Sequence, residues 1–338
     1  MPVILSCLAT SLGNSKLYFN VISKVSLISE LNRLCPGGVK CNVPLGQLSR
    51  WKIGGTADVL VEPGTIRELS VLRAFLAREG LPNLVIGEAS NLLFSDEGLK
   101  AICIRIGSRL SAMSVEGRDV SAEGGIWVPC LARKIMQSGL AGAEHICGIP
   151  GTLGGLIVMN GGSQRKGIGS SVVSVMAIAP DGGEVALNKD ACGFGYRQSV
   201  FQKNGAVVVS ARLRFESAIG RSVVRRKMLN ILHDRNRKFP RRIANCGSVF
   251  KSHPGMYAAV GPPGQVIEQL GLKGYKIGDA QVSSKHANFF VNLGNASARD
   301  MMDLIRLVGD SVFKATGYRM ESEVLYVSTL GEIGPVNY

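Results

Sequence analysis

Acidic residues are scarce in this chain of 338 residues, 25 Asp and Glu against 39 Lys and Arg, and the stretch from Met1 to Ser29 has none. That stretch is serine-rich and carries only Lys16 and Lys24, whereas an organelle transit peptide is usually richer in arginine. Lys16 follows the apolar residues instead of preceding them, the wrong order for a secretory signal, and a start codon set too early fits equally well. The segment is expected to lie outside the fold. No apolar run reaches membrane-spanning length, so no transmembrane helix is expected. The eight cysteines include no C-x-x-C pair and read as reduced core thiols in a reducing compartment. His145, His233, His253 and His286 form no H-x-x-x-H or H-x-H pattern, and no metal site is expected. Also missing are G-x-G-x-x-G after a parallel strand, G-x-x-x-x-G-K-[ST] and G-x-S-x-G. Those absences disfavour a dinucleotide Rossmann site, a P-loop and a serine hydrolase.

What is present starts with charge. The formal net charge is +14, and between Arg221 and Arg242 nine Lys or Arg face the single acid Asp234. Such a stretch fits nucleic acid, a solvated helix face, or a cleft that draws in a small anion. Hydrophobic content of 46 % and charged content of 19 % suit a globular chain, and the length predicts two or three domains.

The local pattern alternates helix and strand. Asp58–Val61 reads as a strand. Thr65 and Glu68 form a capping box for a helix with Ile66, Leu69, Leu72, Phe75 and Leu76 on one face. Leu84–Ile86 is a second strand running into a turn of small and polar residues, Gly87 to Asn91, so a βαβ unit is expected with a ligand at the strand end. Strands over 102–106, 120–123, 172–179 and 207–215 follow, with a helix from Pro129 to Gly139. Composition shifts after Glu216. Ser297 and Asp300 cap a last helix ending at Gly317, and Val324–Val327 closes the chain as a strand.

The segment "GIPGTLGG", from Gly148, has too many glycines for a good helix or strand. Exposed amides at such a turn bind phosphate well, and with the turn at Gly87 it could hold the two phosphates of one long cofactor; a buried tight turn is the alternative. Beyond it, Tyr196 and Arg197 stand on a loop, Ser248 lies three residues before Lys251, and Glu321 and Glu323 share a strand face. Each of these could equally be structural or solvated.

Taken together, these pieces resemble the UDP-N-acetylenolpyruvoylglucosamine reductase family. The resemblance covers residues 44 to 327 in order: "LSRWKIGGTADVLVEP", "VIGEASNLLFSDEG", "GIPGTLGGLIVMNGG", "FGYRQSVF", "GSVFKSHP", "GLKGYKIGDAQVSSKHANFFVN" and "ESEVLYV". It implies an α+β fold: a two-part FAD-binding domain of the vanillyl-alcohol-oxidase type, then a smaller α+β substrate-binding domain. The expected boundaries are a 1–43 extension, a 44–217 FAD-binding domain, a 218–330 substrate-binding domain and a 331–338 tail. It further implies noncovalent FAD held by Gly87, Ala89, Ser90, Asn91, Gly151, Thr152, Gly154, Gly155 and Asn160; a covalent link at His145 is the alternative to a packing role there. NADPH is the implied reductant and a UDP-sugar the implied substrate. By the same resemblance Arg197 polarises the enolpyruvyl group, Glu323 acts at that centre and Ser248 donates the proton; a serine hydroxyl is a weak acid, so it needs activation by neighbours such as Lys251. Tyr196, Gln281 and Asn288 match substrate-side positions; Lys238 is the candidate phosphate contact of the basic stretch, and Lys251 is a further substrate-side candidate. The basic stretch then serves anionic ligands, and neither nucleic acid nor membrane is an expected partner. The implied protein is a monomeric cytoplasmic enzyme of peptidoglycan synthesis, or a plastid one if residues 1–43 contain a transit peptide.

The chain also departs from the family. Gly161 to Arg165 replaces a segment that often holds a tyrosine, Ser322 replaces a proline, and Ser252-His253 carries an apparent extra residue. A paralogue acting on a related nucleotide sugar, an oxygen-using flavin oxidase and a basic nucleic-acid-binding module therefore remain as alternatives.

Overall fold

The computed structural model describes residues 24–218, 220–252 and 254–336. The acid-free segment thus lies largely outside the described residues, as does His253.

The first unit is built on α1 (Lys24–Leu34), β1 (Val39–Pro44), β2 (Thr56–Val61), α2 (Ile66–Arg78), β3 (Asn83–Ile86), β4 (Leu92–Phe94) and β5 (Ile102–Arg105). The sheet order is β1-β2-β5-β3, with β1 antiparallel to β2 and the other pairs parallel. Side chains alternate across it. Val59, Val61, Ile102 and Ile104 face the helices, while Leu60, Leu84, Ile86 and Cys103 face Leu45, Phe94 and Leu99. Of the expected 1–43 extension, the described residues 24–43 pack as part of this unit. Leu27 and Leu31 of α1 are buried against Leu69 and Leu72 of α2, and β1 completes the sheet. Burying a leucine is worth about 1.5–3 kcal/mol, enough to commit a short helix of weak intrinsic preference to the domain. Thr65 caps α2 as expected, its hydroxyl accepting from Glu68 N. The Glu68 carboxylate reaches back to Gly64 N, one residue beyond the position a capping box uses.

The second unit contains β6 (Met113–Glu116), β7 (Asp119–Glu123), α3 (Val128–Gln137), α4 (Leu153–Val158), β8 (Val172–Ile178), β9 (Glu184–Asn188) and β10 (Val207–Arg214). These strands form an antiparallel sheet in the order β9-β8-β10-β7-β6. The basic stretch is a helix, α5 (Arg221–Lys238). Its Val224, Met228 and Ile231 join the core of this second unit, beside Leu140, Ala143 and Ile146. Although it lies beyond the boundary expected at 217/218, α5 satisfies its apolar stripe on the second unit and not on the third.

The third unit is a small antiparallel sheet, β11 (Lys276–Ile277), β12 (Ala280–Val282) and β13 (Phe290–Asn292), covered by α6 (Ala298–Thr316). Ser297 and Asp300 form the expected capping box, and Asp96 of the first unit adds a carboxylate on Ala298 N at 2.8 Å. Two long-range insertions bind the third unit to the first. Trp51 is fully buried in the third core, donating to Phe290 O and accepting from Asn292. At the other end β14 (Leu325–Val327) runs parallel to β4, and β15 (Ile333–Pro335) pairs with it, so the expected 331–338 tail contains a sheet strand. This return brings Glu323 beside the turn at Gly87.

Candidate active site

The glycine-rich segment differs from the expectation in its second half. Thr152 is an N-cap whose hydroxyl accepts from Gly155 N at 3.4 Å, and Leu153-Gly154-Gly155 opens α4. Much of the glycine requirement comes from the protein itself. A Cβ on Gly87 would lie 2.5 Å from Thr152 Oγ1, one on Gly148 would lie 2.7 Å from Arg235 Cδ, and one on Gly154 would lie 3.1 Å from Val208 O. Gly151 has φ +137°, outside ordinary side-chain range. Gly155 alone of this set is exposed.

The facing turn is the better cradle. No described hydrogen bond uses the amides of residues 87–91 as donors, and Ala89 has φ +43°. Successive unpaired amides around a left-handed residue make an anion-binding concavity. Ser90 Oγ donates to Pro150 O at 3.1 Å and ties the two turns together. Unpaired amides beside a glycine-lined wall fit a dinucleotide's phosphates. The side chains of Asn91 and Asn160 are committed within the protein. Asn91 Nδ2 donates to Glu323 O at 2.9 Å, while Asn160 Oδ1 accepts from Gly169 N and its Nδ2 donates to Gly195 O. Both carboxamides hold the segments that carry the candidate groups of Glu323 and Arg197.

Those groups converge. Arg197 Nε stands 2.6 Å from Glu323 Oε1, in an ion pair off the line of a straight hydrogen bond. Arg197 has φ +54°. Burial raises the Glu323 carboxyl above the ordinary glutamate range, against the opposing pull of Arg197 and Lys251. Ionising Glu323 is thus harder folded than unfolded, so the native state loses stability as pH rises through the raised value. Glu323→Gln is expected to escape that loss. The unfolding free energy of the variant relative to the parent should climb with pH across the window above the ordinary glutamate value. Denaturant titrations at several pH values measure it, and a gap independent of pH contradicts the assignment.

Ser248 follows Gly247 at φ +83° and pairs as a bridge with Phe289, while Glu323 N donates to Val249 O at 2.7 Å. Serine and glutamate therefore sit on adjacent segments. The Ser248 hydroxyl has no described partner. Lys251, expected to activate it, is engaged by Glu321 at 3.1 Å instead. Tyr196 spans the site's edge: its hydroxyl accepts from Ser252 N, and its ring lies 5.7 Å from the Arg197 guanidinium. Gln281 donates to Gly274 O within the third unit, and both side-chain polar atoms of Asn288 are taken by Phe250.

A cleft of about 420 Å³ between α5 and the segment at 163–164 is lined by Ser163, Gln164, Lys227, Arg235 and Lys238. Gln164 and Arg165 form the left-handed turn of a two-residue hairpin, at φ +56° and +60°, in place of the tyrosine segment. Lys238 pairs with Asp234 at 2.8 Å. Arg235, which the sequence offered only as one charge among nine, is the better buried cation. Burial lowers its pKa, its Nε has no hydrogen-bond partner, and its guanidinium lies over Phe239. Phe239 in turn stacks on Phe289, the bridge partner of Ser248, so the basic cleft adjoins the serine. No local signal separates Arg235 from its neighbours, because its burial depends on Gly148. The His145 ring is buried against Gly142 O.

Among the described residues no group of three His, Cys, Asp or Glu could hold a metal, the cysteines are free, and no helix is long and apolar enough to cross a membrane.

Comparison with known proteins bears on the family. Residues 57–188 match the FAD binding domain family, and residues 239–327 match the C-terminal domain of UDP-N-acetylenolpyruvoylglucosamine reductase. The chain is 42% identical over 295 residues to UDP-N-acetylenolpyruvoylglucosamine reductase 1 of Corynebacterium glutamicum, covering 87% of this chain and 88% of the relative. It is 39% identical to reductase 2 of Symbiobacterium thermophilum, covering 86% and 92%. The crystal structure of the Thermus caldophilus reductase superimposes with a TM-score of 0.73 at 30% identity, covering 85% of this chain and 98% of that one. The chain, with its FAD-binding domain and reductase C-terminal domain, belongs to the UDP-N-acetylenolpyruvoylglucosamine reductase family.

Proposed function

We propose that this protein uses NADPH to reduce UDP-N-acetylglucosamine enolpyruvate to UDP-N-acetylmuramate, a step of peptidoglycan precursor synthesis, as a cytoplasmic monomer. The observation that carries the reading is the Arg197–Glu323 pair, held beside Ser248 and next to the unpaired amides of residues 87–91. Those amides, with Gly151, Thr152 and the exposed Gly155, would hold FAD. Bound FAD supplies the hydride for the methylene carbon of the enolpyruvyl group.

The chain's own residues do the rest. The Arg197 guanidinium binds the enolpyruvyl carboxylate and stabilises the negative charge that develops there. Ser248 Oγ holds the proton destined for C2. Glu323 acts at the same centre, where its carboxyl pairs with the Arg197 guanidinium and fixes its position. Lys238 and Arg235 offer positive charge to the phosphates of UDP or NADPH at the cleft. The altered hairpin at Gln164-Arg165 favours one second reading, a paralogue that reduces a related nucleotide sugar, because this turn and not the serine site lines that cleft.

Single-turnover oxidation of the NADPH-reduced enzyme by UDP-N-acetylglucosamine enolpyruvate tests both. Rapid return of oxidised-flavin absorbance supports the main reading. Reduction by NADPH without reoxidation by this compound shifts the substrate to another sugar, and failure to bind FAD ends the proposal.

A further inference from the structure

The segment that follows Ser248 is bonded by a side chain that lies one segment away. Residues 249–251 run between two neighbours. On one side Glu323 N donates to Val249 O, and Lys251 N donates to Glu321 O at 2.9 Å. On the other side Asn288 supplies every described bond. Its backbone carbonyl accepts from Val249 N at 2.9 Å, its Oδ1 accepts from Phe250 N at 2.9 Å, and its Nδ2 donates to Phe250 O at 2.9 Å. A carboxamide carries the same donor and acceptor as a peptide unit, so Asn288 acts as one more strand residue where the chain turns between Lys285 and Phe289. Asn288 is 3 % exposed and Phe250 is completely buried, so water cannot replace these bonds cheaply. The same two segments are joined again by the Ser248–Phe289 bridge.

We infer that Asn288 is a positioning residue for Ser248: its carboxamide clamps Phe250 and so sets where the serine hydroxyl stands relative to Glu323. This replaces a direct substrate contact, because both polar atoms of the side chain are already committed. The inference rests on the proposed role of Ser248 as proton donor. A displacement of about 1 Å at such a donor costs on the order of 10²-fold in rate.

The experiment uses the FAD-loaded enzyme with Asn288→Asp, which keeps the size and the acceptor but loses the donor when ionised, and with Asn288→Ala. Each is made alone and with Ser248→Ala, and the two half-reactions are followed separately. Both single variants are expected to keep their flavin and to be reduced by NADPH within about twofold of the parent, while reoxidation by UDP-N-acetylglucosamine enolpyruvate falls about 10- to 100-fold. In the Ser248→Ala background the same substitutions should cost less than about twofold, because residues acting as one unit do not add. Multiplying losses in the double variants would overturn the inference. So would equal losses in both half-reactions, or failure of both Asn288 variants to yield flavin-loaded protein. If Ser248→Ala itself reoxidises normally, the proton-donor reading fails first and this inference falls with it, a result distinct from the others.

Discussion

Replacing Ser248 by alanine is expected to leave reduction of the bound flavin by NADPH nearly unchanged and to slow its reoxidation by the enolpyruvyl substrate by about 10²-fold or more, the range for loss of a general acid. The serine hydroxyl is the candidate proton donor, and its contribution is confined to the half-reaction that protonates C2. The structure leaves that hydroxyl without a described protein partner and gives Lys251 to Glu321, so activation by the lysine is not built into this arrangement. Lys251→Ala is accordingly expected to have the smaller effect. Stopped-flow absorbance of the two half-reactions separates the roles: equal slowing of both by Ser248→Ala would make the serine structural.

Arg197→Ala is expected to reduce reoxidation by about 10²- to 10³-fold, the size seen when one preorganised donor to a developing charge is removed. A second consequence has a definite sign. Arg197 is the leading force holding the buried Glu323 carboxyl down, and without it that carboxyl should titrate still higher. Any limb of the pH profile owed to Glu323 should therefore move to higher pH in Arg197→Ala. Arg197→Lys is expected to recover only part of the rate, since an ammonium offers no planar fork to a carboxylate. A fall in NADPH reduction equal to the fall in reoxidation would instead assign Arg197 to the nicotinamide cofactor.

Local structure was legible wherever its cause is local. Thr65 before α2, Ser297 and Asp300 before α6 and the strand through Val59, Leu60 and Val61 each depend on a few neighbouring residues, and each appears as read apart from the Glu68 carboxylate, which reaches Gly64. The ordered motifs likewise marked Arg197, Ser248 and Glu323 as candidates, because the proposed chemistry requires those residue types. The sequence by itself thus determined the fold class, the family and the two glycine turns.

Tertiary structure decided what each marked residue does with its polar atoms. Trp51 and Phe290 are 239 positions apart, and no periodicity connects them. Asn91, Asn160 and Asn288 look like ligand contacts in the motifs, yet each spends its carboxamide on a distant backbone segment. Gly148 looks like room for a phosphate and is instead room for Arg235. The places of α1, α5 and β15 were decided in the same way, by which core buried the first two and which strand paired with the third. A buried amide must find a partner and a buried apolar stripe must find a surface, but which one it finds depends on contacts between segments that the linear order keeps far apart.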